Sequence, residues 1–231
     1  MAVRQWSRRL WRRLALELGV WILNAQPEVA RRTLPRFANR PRHLTIELPR
    51  RIVNPQFVWF GDHVWLGPGS FISATTRYPS SSTAHPEQAQ TAQTFSPVIR
   101  IGDRVTSTGG LIIGAVKRVE IGNDVLLAHN VTILDCSHGY ATVDVPYKYQ
   151  PLERIAPVEI KSGSWIGQNA VLLAGASVGE MSIIGANSVV TSVIPDRCIA
   201  VGAPARVIKT WDSHTHRWRT CEGTRAAVRL Q

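Results

Sequence analysis

Residues 158–190 read VEIKSGSWIGQNAVLLAGASVGEMSIIGANSVV. Ile160, Ile166, Leu172, Val178, Ile184 and Val190 recur at every sixth position. Two positions ahead of each stand Val158, Ser164, Ala170, Ala176, Ser182 and Ser188, mostly small, and glycine follows at Gly167, Gly179 and Gly185. A period of six fits neither the 3.6 of a helix nor the 2 of an isolated strand. A short strand followed by a tight turn does fit. Three such units close one triangular coil, and coils stack into a parallel β-helix. One aliphatic per unit fills the prism, a small residue lets the corner close, and glycine supplies turn conformations that other residues resist. An ordinary sheet of alternating strands would not keep this phase.

The same register runs through Phe60, Leu66 and Ile72, through Ile101, Ser107 and Ile113, and through Ile121, Leu127 and Ile133. It breaks three times. Ile113 and Ile121 stand eight apart, residues 73–97 form a long excursion rich in Ser, Thr, Gln and Ala, and residues 134–157 form another. Loops projecting from a rigid scaffold are where sites concentrate. The predicted architecture is therefore all-β: a β-helix over 51–210, a basic segment 1–50 before it and a tail 211–231 after it, expected to be helical.

The charge supports this division. The 231 residues carry a net charge of +11, of which +9 falls in residues 1–60 and none in 61–210. Basicity confined to an appendage on a neutral body, with no recognition motif, argues against a nucleic-acid-binding protein. No apolar run approaches the ~20 residues of a membrane-spanning helix. Three widely spaced cysteines, Cys136, Cys198 and Cys221, make neither a disulfide framework nor a zinc ribbon and suit a reducing cytoplasm.

Residues 4–23 are expected to form a helix, with Trp6, Leu10, Leu14 and Leu18 at every fourth position and Trp11 and Trp21 beside them. Arg8, Arg9, Arg12 and Arg13 lie mostly off that stripe. Two readings stand: a peripheral helix on the inner face of the cytoplasmic membrane, or a helix packed on the body. Glu17 and the lack of an A-x-A pattern argue for a retained segment rather than a signal peptide. Residues 24–50, with Pro27, Pro35, Pro41 and Pro49, are expected to be mainly a connector.

Three stretches carry a family resemblance: RIVNPQFVWFGDHVWLGPGSFI at 51–72, VEIGNDVLLAHNVTILDCSHGY at 119–140 and residues 158–209. The last combines Trp-Ile-Gly, Gly-Ala-x-Ser-Val-Val-Thr and Gly-x-Pro-Ala-x-Val-Ile in order. The chain resembles the hexapeptide-repeat acyltransferases, particularly bacterial O-acetyltransferases of sugars, polysaccharide precursors and some antibiotics. The resemblance implies a left-handed β-helix, an exception to the usual right-handed crossover. It also implies a homotrimer with sites between subunits, and acetyl-CoA as co-substrate.

Transfer of an acetyl group from a thioester to a hydroxyl needs a base, and histidine suits that task near neutral pH. His138 stands at the root of the second excursion, in DCSHGY, where the family carries its catalytic histidine. Its orienting partner is either Asp135, three residues before it, or Glu153, which ends the same excursion. His129 and His63 are read as turn or surface residues.

For the donor, the resemblance places Trp165 beside the thioester, with a buried structural tryptophan as the alternative. It places Gln168, Ala186, Thr191 and Ser192 along the coenzyme. Arg206 and Lys209 fall near the nucleotide phosphates, with a solvated pair as the alternative.

A γ-class carbonic anhydrase shares the coil, but no H-x-x-x-x-H pair occurs, so no metal is expected. A non-catalytic scaffold fits poorly with His138, Trp165 and the basic pair together. The expected reaction is acetyl transfer to a sugar or glycolipid acceptor in cell-surface polysaccharide or lipopolysaccharide assembly, with an antibiotic acceptor as the rival.

Overall fold

The computed structural model describes residues 2–79 and 92–221. The tip of the first excursion (80–91), the end of the tail (222–231) and the side chains of Trp6, Arg8, Arg9 and Leu10 lie outside the described residues. Three parallel sheets form the walls of a prism, and successive strands of one coil belong to successive walls. We call them walls A, B and C. Wall A contains Trp65–Leu66, Leu126–Leu127, Trp165–Ile166 and Ile183–Ile184. Wall B contains Ser70–Ala74, Thr132–Leu134, Val171–Leu172 and Val189–Val190. Wall C contains Val58–Phe60, Arg118–Ile121, Val158–Ile160 and Ser177–Val178. This is a left-handed parallel β-helix.

All six aliphatic residues from Ile160 to Val190 point inward and are buried, as are the six residues two places before them. Burying one such side chain contributes about 1.5–3 kcal/mol relative to leaving it exposed, and the column supplies one per unit. Ser164 and Ser182 lie inside because their hydroxyls donate to corner carbonyls, of Gly179 at 2.8 Å and Pro195 at 2.8 Å. The corner between walls A and B turns through left-handed residues Asn130, Asn169 and Asn187, whose side-chain amides form a ladder at 3.3 and 3.0 Å.

The glycines after the aliphatic positions serve a different purpose from the expected one. Gly167 has no positive φ, but a Cβ there would stand 2.6 Å from the Ala186 nitrogen. Glycine lets the next coil's backbone pass at that point, while asparagine takes the left-handed turn.

Two boundaries differ from the sequence reading. Thr45–Ile46 already pairs in wall A, with Leu44 and Ile46 in the core, so the body begins before residue 51. Phe37 closes the N-terminal end of the prism, edge-on to Phe60 at 4.8 Å. The helix spans Ala2–Arg32, past Pro27 rather than ending near residue 23. Its last turn is held by ion pairs within the helix and by Arg50 from outside it. Glu28 pairs with Arg31 and Arg32 at 2.5 Å, and the Arg50 guanidinium donates to the Ala30 carbonyl at 2.8 Å and the Thr33 hydroxyl at 2.9 Å. The Arg50 contact gives the Ala30 carbonyl, one of the last-turn carbonyls without an intrahelical donor, a partner.

The tail also differs. Ala205–Asp212 and Arg217–Thr220 form an antiparallel hairpin on Cys198–Gly202, extending wall A, where a helix was expected. Trp211 and Trp218 are cross-strand partners with ring centroids 5.4 Å apart. Asp212 Oδ1 accepts the His214 and Thr215 amides and makes the turn.

Candidate functional site

The two excursions leave the coil at the edge between walls B and C and meet each other there. In the second, Ser137–His138 runs antiparallel to Leu152–Glu153, with His138 opposite Leu152. Gln150 holds the loop between them closed. It is fully buried, and its amide donates to the carbonyls of Thr142 and Val145, each at 2.8 Å. In the first excursion, Arg77–Tyr78 pairs with Gln93–Thr94. The Gln93 amide clamps the backbone of Leu152 from the side, accepting its N–H at 2.7 Å and donating to its carbonyl at 3.0 Å. The first excursion therefore grips the strand whose other edge carries His138.

His138 is exposed. Its Nδ1 lies 3.0 Å from the Tyr78 hydroxyl oxygen, and the two rings meet edge to face at 5.4 Å. The same hydroxyl donates to the Lys148 carbonyl. Tyr78 had no signal in the sequence: it lies in an excursion without periodicity, and its partners are 60 and 70 residues away.

The two carboxylates proposed as orienting partners do not reach Nδ1. Asp135 is fully buried and accepts the backbone N–H groups of Val116, Lys117 and Arg118 at 2.8, 2.7 and 2.7 Å. It therefore braces the corner where the repeat steps by eight instead of orienting His138. Burial raises its pKa, against those three bonds, which pull it down. Glu153 is half-buried, and its carboxylate lies against Gly139, where a Cβ would come within 3.1 Å of it. At Cys136, two residues before His138, burial first, and then Asp135, push the thiol up to about 12, which disfavours the thiolate near neutral pH.

The residues expected along the coenzyme separate into groups. Trp165 is 48% exposed with its indole outward on wall A, which excludes the buried structural reading. Gln168 and Ala186 are exposed at the wall A–B corner of successive coils. Thr191 and Ser192 are exposed at the wall B–C edge, two coils beyond the strand that leads to His138. Arg206 is exposed and Lys209 half-buried on the C-terminal hairpin. One protomer thus places His138 and Trp165 at different parts of the prism and does not bring them together. His129 is an exposed corner residue, and His63 stacks on His43 at 4.3 Å.

A coil of this register with a histidine at the root of a corner excursion defines a class, and the chain belongs to the hexapeptide-repeat acyltransferase family. The model for bacterial transferase hexapeptides, six repeats, matches residues 157–192. The chain is 33% identical over 162 residues to a Mycobacterium tuberculosis protein named as an acetyltransferase, covering 69% of this chain and 53% of that one. It is 34% identical over 128 residues to an Escherichia coli protein named for lipopolysaccharide biosynthesis O-acetyl transfer, covering 52% of this chain and 65% of that one. The chain thus spans about half to two thirds of the length of these relatives. Among solved structures, the Bacillus cereus N-acyltransferase AntD in complex with dTDP and 3-hydroxybutyryl-CoA superposes with a TM-score of 0.59 at 17% identity. The match covers 78% of this chain and 86% of that one, and shows the shared fold.

Proposed function

We propose that the protein transfers the acetyl group of acetyl-CoA to a sugar hydroxyl of a cell-surface polysaccharide, lipopolysaccharide or glycolipid precursor. The observation that carries the reading is the exposed imidazole of His138, held by two excursions at the edge of a coil of this family's type. The name of the Escherichia coli relative supports a sugar-type acceptor. His138 takes the proton of the acceptor hydroxyl as its oxygen attacks the thioester carbonyl. The tetrahedral intermediate collapses, the carbon–sulfur bond breaks, and the proton returns to the departing CoA sulfur. No acyl-enzyme is needed, in keeping with the protonated Cys136.

The separation of His138 from Trp165 supports a homotrimer in which a neighbouring copy brings its wall A against the His138 edge and completes the site. Gln168, Ala186, Thr191 and Ser192 would then flank the pantetheine arm, with Arg206 and Lys209 toward the phosphates. Calorimetric titration with acetyl-CoA tests the donor site. Saturable binding, weakened by removing the 3′-phosphate, is expected. No binding up to millimolar concentration overturns the reading.

The N-terminal helix supports a place on the inner face of the cytoplasmic membrane, where lipid-linked sugars are built. Among its described side chains only Ala30 is buried, while Trp11, Leu14, Leu18 and Trp21 are exposed instead of packing on the body. Arg12 and Arg13 beside them suit anionic headgroups. The full chain is expected to co-sediment with anionic vesicles in a salt-dependent way, and a chain lacking residues 1–24 is expected to stay in the supernatant. Equal sedimentation of the two forms overturns the membrane placement.

A further inference from the structure

A tyrosine hydroxyl has one proton to give and an oxygen that accepts. The Lys148 carbonyl carries no hydrogen, so its bond with Tyr78 can form only by Tyr78 donating. The Tyr78 proton is thereby used. The 3.0 Å contact between the Tyr78 oxygen and His138 Nδ1 then requires the hydrogen to sit on the imidazole. The chain runs in one direction: His138 Nδ1–H to Tyr78 oxygen, Tyr78 O–H to Lys148 carbonyl.

We propose that Tyr78 is the positioning residue of this site, holding His138 in the tautomer with the hydrogen on Nδ1 and the lone pair on Nε2, the nitrogen turned to the acceptor. This rests on the reading of His138 as general base. It assigns to Tyr78 the task that a carboxylate partner was expected to perform. Such a partner decides which imidazole nitrogen can accept a proton.

The surroundings make the arrangement rigid. Lys148 lies in a 3-10 turn, Tyr147–Tyr149, closed by the Tyr149 and Gln150 amides on the Pro146 and Tyr147 carbonyls at 2.9 and 3.1 Å. Buried Gln150 fixes that turn to the rest of the loop. Tyr78 itself is held from the other side, because its strand partner Gln93 clamps Leu152, the residue opposite His138. The path His138–Leu152–Gln93–Tyr78–His138 is a closed ring of backbone pairing and side-chain bonds. Burial, and secondarily Cys136, raise the Tyr78 hydroxyl above the usual phenol range, so it stays protonated and able to donate.

A neutral partner also differs in consequence from a carboxylate. Tyr78 fixes the tautomer and the ring plane without placing a negative charge beside the imidazolium that forms during transfer. Tyrosine to phenylalanine is therefore a clean substitution: it removes the oxygen and keeps the ring that meets His138 edge to face.

The test is nitrogen-15 NMR of the full chain with labelled histidine, His138 being assigned by its loss in His138→Ala, together with steady-state kinetics. In the unaltered protein at a pH where His138 is neutral, the expected spectrum shows a protonated Nδ1 and an unprotonated Nε2. Tyr78→Phe is expected to shift both signals toward a mixture of tautomers and to lower kcat about tenfold or more, with KM for acetyl-CoA unchanged. A protonated Nε2 in the unaltered protein overturns the proposal. So does a Tyr78→Phe variant with unchanged nitrogen shifts and unchanged kcat. The spectrum does not depend on turnover, so the two readings fail separately. Full activity of His138→Ala refutes the base, whereas a wrong tautomer refutes Tyr78.

Discussion

His138→Ala is expected to lower kcat for acetyl transfer by about 10²- to 10⁴-fold, the range that a positioned general base contributes. Binding of acetyl-CoA, read by calorimetry, is expected to stay unchanged. His138 is exposed on its short strand, and among the described residues its side-chain hydrogen bond is to the Tyr78 oxygen, which keeps the Lys148 carbonyl as a partner. Removing the imidazole therefore opens no core cavity and strands no buried group. An interaction made only in the transition state lowers kcat and kcat/KM together. A His138→Ala enzyme with unimpaired kcat would refute the mechanism.

Asp135→Ala is expected to act on stability instead. It leaves the Val116, Lys117 and Arg118 amides without their acceptor. Val116 is buried, while Lys117 and Arg118 are exposed residues whose amides water can reach once the carboxylate is gone. A stranded buried donor costs about 1–3 kcal/mol, so with one such donor the loss is expected at about 1–3 kcal/mol. Asp135→Asn retains one accepting oxygen and is expected to lose less. Urea denaturation at fixed protein concentration measures this as a lower midpoint with an unchanged slope. A variant of full stability and reduced kcat would return Asp135 to the role of orienting His138.

The scaffold was legible because its rule is local and repeats. Every sixth aliphatic residue and its small companion meet the same neighbours in the next coil, so the pattern from Ile160 to Val190 states the packing directly. The excursions were legible as interruptions of that pattern, and so was the place of His138. What holds His138 was not, because Tyr78, Gln93 and Lys148 meet it through contacts between two aperiodic segments. Asp135 shows the converse. Its spacing from His138 suggested chemistry, and only the fold reveals three backbone amides already facing it. The tail misled for a different reason. Trp211 and Trp218 stand seven apart, a separation that suits one face of a helix and equally suits two strands joined by a tight turn. The Asp212 turn chemistry was the signal that separates the two.

That hairpin also decides how the solenoid stops. A stack of coils is in principle a polymer that could add a second molecule end to end, wherever its last strand leaves a row of amides and carbonyls unpaired. Walls B and C finish in strands of only two residues, Val189–Val190 and Val193–Ile194, too short to recruit a partner. Wall A reaches Cys198–Gly202, five residues long, and there the chain reverses and lays Ala205–Asp212 across the open side. The outermost described strand, Arg217–Thr220, presents exposed Arg217, a charge that would meet its like on a second copy seeking the same edge, beside Arg219, whose guanidinium is paired with Asp212. The architecture that grows by repetition thus carries its own chain terminator.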